Sequence, residues 1–277
     1  MTLRSSLRKT EEKVLALERY LTTNVLSTEF VCRHYRECKS SHCEKFYEGQ
    51  LHHVGRYYDL LSDDLPFRIV VVGQEYGMPP ARASSEIRYA MVMKSAFGSR
   101  FTAGGGEEAR NPHMRGTTSV LRLLFGIPLG VDYESEFLTI NSERRHLFDA
   151  FALVNYLLCS AVPDDETKRG KATPTMKRNC REHFREALRI LEPSVVIVQG
   201  KSFWMSCVKD AFDLVWHEAH DVYTARLGTM QTLVAAFTHP SAPLWKDNWG
   251  TNDRTPYLVN TVKPSISWVR QQILGVL

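Results

Sequence analysis

Three of the six cysteines fall within twelve residues near the amino terminus, at Cys32, Cys38 and Cys43. We find no secretory signal in the sequence, and a cytoplasmic protein would not normally use such cysteines for disulfides. Thiolates clustered in this way most often bind a metal, although their spacing fits neither a zinc knuckle nor a C2H2 finger. His34 and His42 lie among them, so zinc is one candidate. Free thiols on a surface segment are the alternative.

Three polar side chains directly follow runs of apolar residues. Glu75 lies in a glycine-flanked turn after Phe67–Val72, Asn155 ends the run that begins at Phe148, and His239 follows a third run. Such runs are typical of strands buried on both faces of a parallel sheet, and ligands of open α/β sheets collect where the strands end. A solvated glutamate, a turn-forming asparagine and a packed histidine are the alternatives.

The elements that would position these residues alternate between strands and helices. This order predicts a three-layer α/β/α sandwich with a mainly parallel central sheet. We expect one domain over residues 1–277, with an amino-terminal helix and the cysteine-rich segment (1–55) packed on it. Two predicted helices cover 6–21 and 115–125, two more begin at 180 and 264, and one passes through 203–207. The predicted strands cover 67–72, 148–155, 194–199, 222–227 and 231–237. The last two strands either pair across Gly228 or flank a crossover.

Composition narrows the class of protein. The chain has 277 residues, a net charge of +4 and a pI near 8.7, which permits nucleic-acid binding without requiring it. No apolar run is long enough to cross a membrane, and the charged amino terminus lacks a signal-peptide core. We therefore expect a cytoplasmic protein that does not bind membranes.

Taken in order, these motifs resemble the uracil-DNA glycosylase superfamily. Gly73-Gln74-Glu75-Tyr76-Gly77 is similar to its first active-site motif, and His239-Pro240-Ser241 is similar to its second. Asn155-x-x-x-Cys159, then Cys180, then Pro193-Ser-Val-Val-Ile-Val-x-Gly200, resemble its iron–sulfur branch. The resemblance covers roughly Cys32 to Trp245.

The resemblance implies a monofunctional DNA glycosylase that acts on single- or double-stranded DNA, as a monomer. Such an enzyme flips a pyrimidine out of the stack and hydrolyses its N-glycosidic bond, which leaves an abasic site. The base would be uracil or a C5-modified cytosine, such as a glucosylated hydroxymethylcytosine, and the role would be base excision repair or anti-phage defence.

The chemistry assigns roles to two of these residues. Breaking the bond builds positive charge on the sugar and negative charge on the departing base. Glu75 is the candidate carboxylate that positions water and stabilises the cation. His239 and backbone amides near Gln74 are the candidate donors to the anion, and one such preorganised donor can contribute several kcal/mol.

The remaining residues of the resemblance would hold the DNA. Asn155 offers a donor and an acceptor to the edge of a base. Leu244 is the expected wedge that fills the vacated space in the stack, and Ser241 is expected to contact phosphates. The ring that stacks on the flipped base would come from Tyr76, Phe101 or His113. Gly77 has no side chain to exclude a C5 substituent.

A [4Fe–4S] cluster is the implied cofactor, with zinc as the alternative. Cys159 and Cys180 match the positions of the family best, Cys38 and Cys43 would complete the set, and Cys32 is the alternative to either of these two. Such a cluster would join the amino-terminal part to the central helix. Cys207, in an apolar helix, is predicted to be a packed thiol.

The segment from Met78 to Pro112 carries five basic residues beside the predicted site. It is either a functional lid whose arginines reach a polar group at C5 of the base, or a solvated segment that follows phosphates. A catalytically inactive nucleic-acid-binding protein of the same fold is the main alternative for the whole chain. A nucleotide-binding module is weaker, because no strand is followed by a P-loop or by G-x-G-x-x-G. The basic residues are Arg82, Arg88, Lys94, Arg100 and Arg110.

Overall fold

The computed structural model describes residues 2–41, 45–48, 51–75, 85–96, 110–162, 172–242, 248–250 and 252–275. Its strands are β1 Leu3–Ser5, β2 Lys45–Glu48, β3 His53–Val54, β4 Leu60–Ser62, β5 Leu65–Pro66, β6 Ile69–Gly73, β7 Phe137–Ile140, β8 Glu143–His146, β9 Ala152–Asn155, β10 Cys159–Val162, β11 Val195–Gln199, β12 Leu214–Ala219, β13 Val222–Leu227 and β14 Met230–Phe237. Its α-helices are α1 Leu7–Asn24, α2 Tyr35–Ser40, α3 Ser85–Ala96, α4 Pro112–Leu124, α5 Pro174–Leu191, α6 Lys201–Ser206 and α7 Lys263–Leu274. In these ranges no helix combines the length and apolar character that a membrane crossing requires.

The central sheet has seven strands in the order β12-β13-β14-β11-β6-β9-β3. Its four middle strands, from β14 to β9, are parallel, while β13, β12 and β3 are antiparallel to their neighbours. β6 and β11 are buried along their whole length, as their valine-rich runs predict. The α/β class is thus confirmed, and the antiparallel strands lie at the two edges of the sheet.

The hairpin of β13 and β14 accounts for one antiparallel edge. Leu227 pairs with Met230, and the turn between them contains Gly228 at a φ of 61°. Glycine adopts this left-handed conformation without the steric penalty of a Cβ atom. The predicted pairing across Gly228 is therefore correct, and the crossover alternative is not.

Successive side chains of β6 enter two separate hydrophobic clusters. Val70 and Val72 belong to a cluster that includes residues of α1, α5 and α6, whereas Ile69 and Val71 belong to one that includes residues of α3, α4 and α7. This alternation is expected for a strand with apolar packing on both faces. The three-layer order of the whole chain stays a prediction.

Four predicted boundaries differ from the structure by three residues or more. α1 ends at Asn24 and not at 21, and α4 begins at Pro112 and not at 115. α5 begins at Pro174, six residues before Cys180, because Pro is favoured in the first helical turn and the Thr173 side chain accepts from Met176 N at 3.1 Å. The run that ends at Asn155 becomes a strand only from Ala152, after a 3₁₀ turn over Leu147–Asp149.

The amino-terminal segment contacts the central elements at several places. α1 and α2 both pack against α5, β2 pairs with β10, and β3 pairs with β9. A second sheet has the order β5-β4-β1-β7-β8. Together these pairings hold the cysteine-rich segment next to the ends of β9 and β10.

Candidate active site

The carboxyl ends of the four parallel strands meet at one edge of the central sheet. The strands end at Gly73, Asn155, Gln199 and Phe237, with Gly73 opposite Asn155 in the register and Gln199 opposite Phe237. Because ligands of open α/β sheets bind beyond this edge, polar side chains here are the candidates for chemistry. We call the following residues the sheet-edge site: Gly73, His113, Asn155, Gln199 and His239.

Gly73 allows two polar side chains to approach the same point. A Cβ atom at this position would lie 3.0 Å from Oδ1 of Asn155, 3.5 Å from Cε1 of His113 and 3.7 Å from Nε2 of His113. His113 lies in the first turn of α4, which begins after Asn111, the side chain that caps it. A side chain at position 73 would therefore crowd Asn155 and require it to shift by a few tenths of an ångström.

Asn155 is buried with part of its hydrogen-bonding capacity unused. The residue is 3 % exposed, and among the described residues its Nδ2 group has no hydrogen-bond partner. A buried donor without a partner destabilises a protein by about 1–3 kcal/mol. An amide held in this state at the end of a strand is suited to bind a ligand.

His239 is held in one tautomer by Ser241. The Ser241 backbone N–H donates to Nδ1 of His239 at 3.2 Å, and the Ser241 hydroxyl lies 2.8 Å from the same nitrogen. Since Nδ1 accepts a hydrogen bond, the proton of the neutral ring is on Nε2. The residue is exposed at its surface, while desolvation of the ring lowers the pKa of His239, which favours a neutral ring that donates from Nε2.

His113, in the first turn of α4, lies beside His239. The two ring centroids are 6.0 Å apart, and the ring planes differ by 28°. Burial, followed by the charges of His239 and Arg88, lowers the pKa of His113 to about 3. The structure thus places His113 next to Asn155 at Gly73 and next to the ring of His239, with both imidazoles neutral.

Gln199 belongs to this site although the sequence analysis did not name it. It ends β11, is 3 % exposed, and its amide lies 2.9 Å from the Thr117 hydroxyl of α4. The rule that selected Asn155, a polar residue at the end of a buried strand, selects Gln199 equally well. It was missed because none of the resembling motifs assigns it a role.

Glu75 points toward β10. The Gln74 amide donates to Oε1 of Glu75 at 2.9 Å, and the Gln74 carbonyl accepts from Leu157 N at 2.9 Å. Burial raises the pKa of Glu75, while Gln74, then Ser160 and the backbone at Ala161, act in the opposite direction. Among the described residues, no recorded hydrogen bond of Glu75 reaches Asn155, His113 or His239.

Several predicted residues lie outside the described part of the chain. The possible base-stacking residues Tyr76 and Phe101, the C5-facing Gly77, the wedge Leu244 and the possible metal ligand Cys43 are among them. His42, Arg82 and Arg100 are also outside it. Their roles stay predictions.

The described part of the basic segment contains both buried and exposed side chains. Arg110 is buried and donates to Glu136 at 2.6 Å and to Thr118 at 2.9 Å. Its guanidinium therefore stabilises the region where α4 begins and does not reach a base or a phosphate. Lys94 is exposed on α3, and Arg88, also on α3, is buried and contributes to the electrostatics of His113.

Four cysteines line one cavity on the α5 side of the sheet. Cys32 precedes α2, Cys38 lies in α2, Cys159 begins β10, and Cys180 lies in the middle of α5. Burial raises the pKa of Cys180 to about 12, and burial also raises the pKa of Cys32 and Cys38. Cys207 is buried but does not line this cavity, as expected of a packed thiol.

The donor chemistry of this cysteine cavity fits the implied cluster. In the described ranges no three His, Cys, Asp or Glu side chains are arranged to hold a single metal ion. In a [4Fe–4S] cluster each thiolate binds a different iron, so four cysteines surround a volume and do not converge on one point. Asn179 Nδ2 and His183 Nε2 each lie 3.5 Å from a sulfur, that of Cys38 and that of Cys32.

The sheet-edge site and the cysteine cavity are connected by a short stretch of chain. Asn155 and Cys159 are four residues apart, and Leu158 and Cys159 line the cavity.

The chain was compared with models of protein families and with curated protein sequences. Neither comparison finds a match.

Proposed function

We propose that the protein is a monofunctional DNA glycosylase that hydrolyses the N-glycosidic bond of a flipped pyrimidine nucleotide. The observation that carries this proposal is the pair of Asn155 and His239 at the sheet edge. Asn155 presents a buried amide whose donor has no partner in the described part of the chain, and His239 presents a neutral N–H. This pair provides the groups needed to read the edge of a base and to stabilise its departure.

The reaction follows from the charges that develop. As the C1′–N bond breaks, the bonding pair leaves with the base, and the Nε2–H of His239 donates to an oxygen of the resulting anion. Water adds to C1′, and its proton passes to Glu75, whose raised pKa makes it a better base than an exposed carboxylate. The product is an abasic site.

The substrate is DNA, bound by a cytoplasmic monomer with a net charge of +4. Uracil and a C5-modified cytosine are both compatible with Asn155, since an amide offers a donor and an acceptor in either orientation. Repair and anti-phage defence remain the two proposed roles.

The cysteine cavity has a structural role in this proposal. Cys32, Cys38, Cys159 and Cys180 would hold a [4Fe–4S] cluster, which would supply bonds between the amino-terminal segment, β10 and α5. Zinc is the alternative ion, and Cys43 is an alternative ligand. A metal site of this kind converts binding free energy into folding free energy.

The proposal is tested with single- and double-stranded oligonucleotides that carry one uracil, hydroxymethylcytosine or glucosylated hydroxymethylcytosine. Abasic products are cleaved with alkali after incubation with the protein. We expect one of these substrates to be cleaved by the wild type, and Asn155→Asp, which replaces the free donor with an acceptor, to lose roughly 100-fold or more in rate.

The matched control is Asn260→Asp, which makes the same change at an exposed position. It should cleave at the wild-type rate. DNA binding without cleavage of any substrate would instead favour the catalytically inactive binding protein. Equal rates for Asn155→Asp and Asn260→Asp would remove Asn155 from the site.

A further inference from the structure

Gln199 links the end of β11 to the first turns of α4. When its amide is oriented so that both of its polar atoms are satisfied, Oε1 accepts from the Thr117 hydroxyl at 2.9 Å and from the Thr117 N–H at 3.0 Å. In the same orientation Nε2 donates to Nδ1 of His113 at 3.1 Å and to the His113 carbonyl at 3.0 Å. This orientation follows from the hydrogen-bond network, which is how such amides are assigned.

These contacts determine the tautomer of His113. Because Nδ1 accepts from Gln199, the proton of the neutral ring is on Nε2. The burial that lowers the pKa of His113 keeps the ring neutral at physiological pH. His113 therefore presents the same kind of group as His239, a neutral imidazole with its N–H on Nε2.

The Nε2 atom of His113 lies close to Gly73. Nε2 of His113 would lie 3.7 Å from a Cβ atom at Gly73, the same point that Oδ1 of Asn155 approaches to 3.0 Å. Space left by the missing side chain of Gly73 is thus bordered by one buried amide and one imidazole N–H. The neighbouring ring of His239, at 6.0 Å, completes a group of three polar side chains.

We propose that His113 is a second hydrogen-bond donor to the departing base, and that Gln199 is the positioning residue that fixes its tautomer. The proposal rests on the glycosylase function above and replaces the stacking role that the sequence suggested for His113. Stacking requires only an aromatic face, whereas the ring nitrogens here are held in a defined state by Gln199. Two neutral donors would share the negative charge of the leaving base.

The substitution His113→Phe separates the two roles, because it keeps the aromatic face and removes the N–H. Single-turnover rates are measured for the wild type, His113→Phe and His113→Ala on the substrate that the wild type cleaves. We expect His113→Phe to be about as slow as His113→Ala, roughly 100-fold below the wild type, which is the range for the loss of one such donor. The fall should appear in the maximal single-turnover rate more than in the protein concentration that gives half of that rate.

The role of Gln199 has a readout that does not depend on activity. Long-range proton–nitrogen NMR spectra report which imidazole nitrogen carries the proton. We expect His113 to be in the Nε2–H form in the wild type and to populate the Nδ1–H form in Gln199→Met, which has a similar shape but no amide. Gln271→Met, at an exposed position on α7, is the control and should keep the wild-type spectrum.

The outcomes distinguish the two levels of the proposal. Absence of base excision by the wild type on every substrate would overturn the proposed function. In an active enzyme, a near-normal rate for His113→Phe would overturn the donor role alone and restore stacking. An unchanged His113 tautomer in Gln199→Met would overturn the positioning role of Gln199, whether or not that variant is less stable.

Discussion

The sheet-edge site and the cysteine cavity come within four residues of each other along the chain, at Asn155 and Cys159, yet their reactive groups are held in different ways. At the sheet edge, Asn155 keeps an unused donor among the described residues, and His239 is neutral and aimed by Ser241. In the cavity, Cys38, Cys159 and Cys180 are buried. The first and last of the four cysteines, Cys32 and Cys180, come from segments far apart in sequence. The first arrangement suits ligand binding, and the second suits a link between segments. Variants of the two regions should therefore change different properties.

Glu75→Gln is expected to have the largest effect on chemistry. Loss of a positioned base lowers rates by roughly 10²–10⁴-fold. The free energy of unfolding should not fall. Because the folded-state pKa of Glu75 is raised, the protonated carboxyl stabilises the fold below its unfolded pKa, and this contribution is lost as the pH rises through the folded-state pKa. At pH 7.5 the neutral amide should leave the melting temperature equal or higher.

Single-turnover kinetics and thermal melts of the same preparations test this prediction. Glu192→Gln, which alters a half-exposed carboxylate that pairs with Lys13, serves as the control for charge removal and should keep its activity. Near-normal cleavage by Glu75→Gln would remove Glu75 from the mechanism.

Cys180→Ser should show the opposite pattern. Iron and sulfide should fall together, and the loss of a bound group typically lowers stability by about 3 kcal/mol or more, equivalent to roughly 6–12 °C in melting temperature. Cys207→Ser, at a buried thiol outside the cavity, is the matched control and should keep its iron. Elemental analysis after anaerobic purification that finds zinc and no iron in the wild type would contradict the cluster.

The cavity also shows what the sequence could not predict. Cysteine count and spacing identify a metal-binding segment, but the choice among Cys32, Cys38 and Cys43 depends on how α2 turns toward α5. The structure brings Cys32 and Cys38 to the cavity, and the preferred ligand Cys43 lies outside the described residues, so the choice between Cys32 and Cys43 stays a prediction.

Gly73→Ala should have an intermediate effect, confined to the sheet edge. The added methyl would lie 3.0 Å from Oδ1 of Asn155, inside the space that a base would use. We expect roughly a tenfold fall in kcat/KM, equivalent to about 1.4 kcal/mol, with a smaller change in melting temperature. Gly228→Ala provides a contrast, since it strains a turn at a φ of 61° and should lower stability without lowering kcat/KM.

The strand ends were the most predictable part of the site. Apolar runs located β6, β9 and β11, and parallel register then brings Gly73 and Asn155 together. The direction of a side chain after a strand is not encoded in such a pattern, so the proximity of Glu75 to β10 could not be predicted. The contact between Gln199 and α4 also required three-dimensional packing, because 82 residues separate Gln199 from Thr117.

The smallest expected effect is on the pH dependence of stability. The folded-state pKa of His113 is about 3, below the unfolded value of about 6.5, so its contribution is present above pH 6.5 and is lost as the pH falls toward 3. When the pH falls from 7.5 to 5.5, this one residue should lower the free energy of unfolding by roughly 1.4 kcal/mol. Urea unfolding at both pH values should show that the free energy of unfolding of His113→Phe depends less on pH than that of the wild type. The same pH dependence in both proteins would mean that His113 is accessible to protons in the folded state.

Base release in water enriched in oxygen-18 tests the central claim most directly. Mass spectrometry of the products should find an intact free pyrimidine base without oxygen-18, together with an abasic sugar, because water attacks C1′ of the sugar and not the base. A DNA adduct trapped by borohydride would indicate a lyase mechanism. Intact DNA with every base, while the protein binds it, would contradict the assignment as a glycosylase.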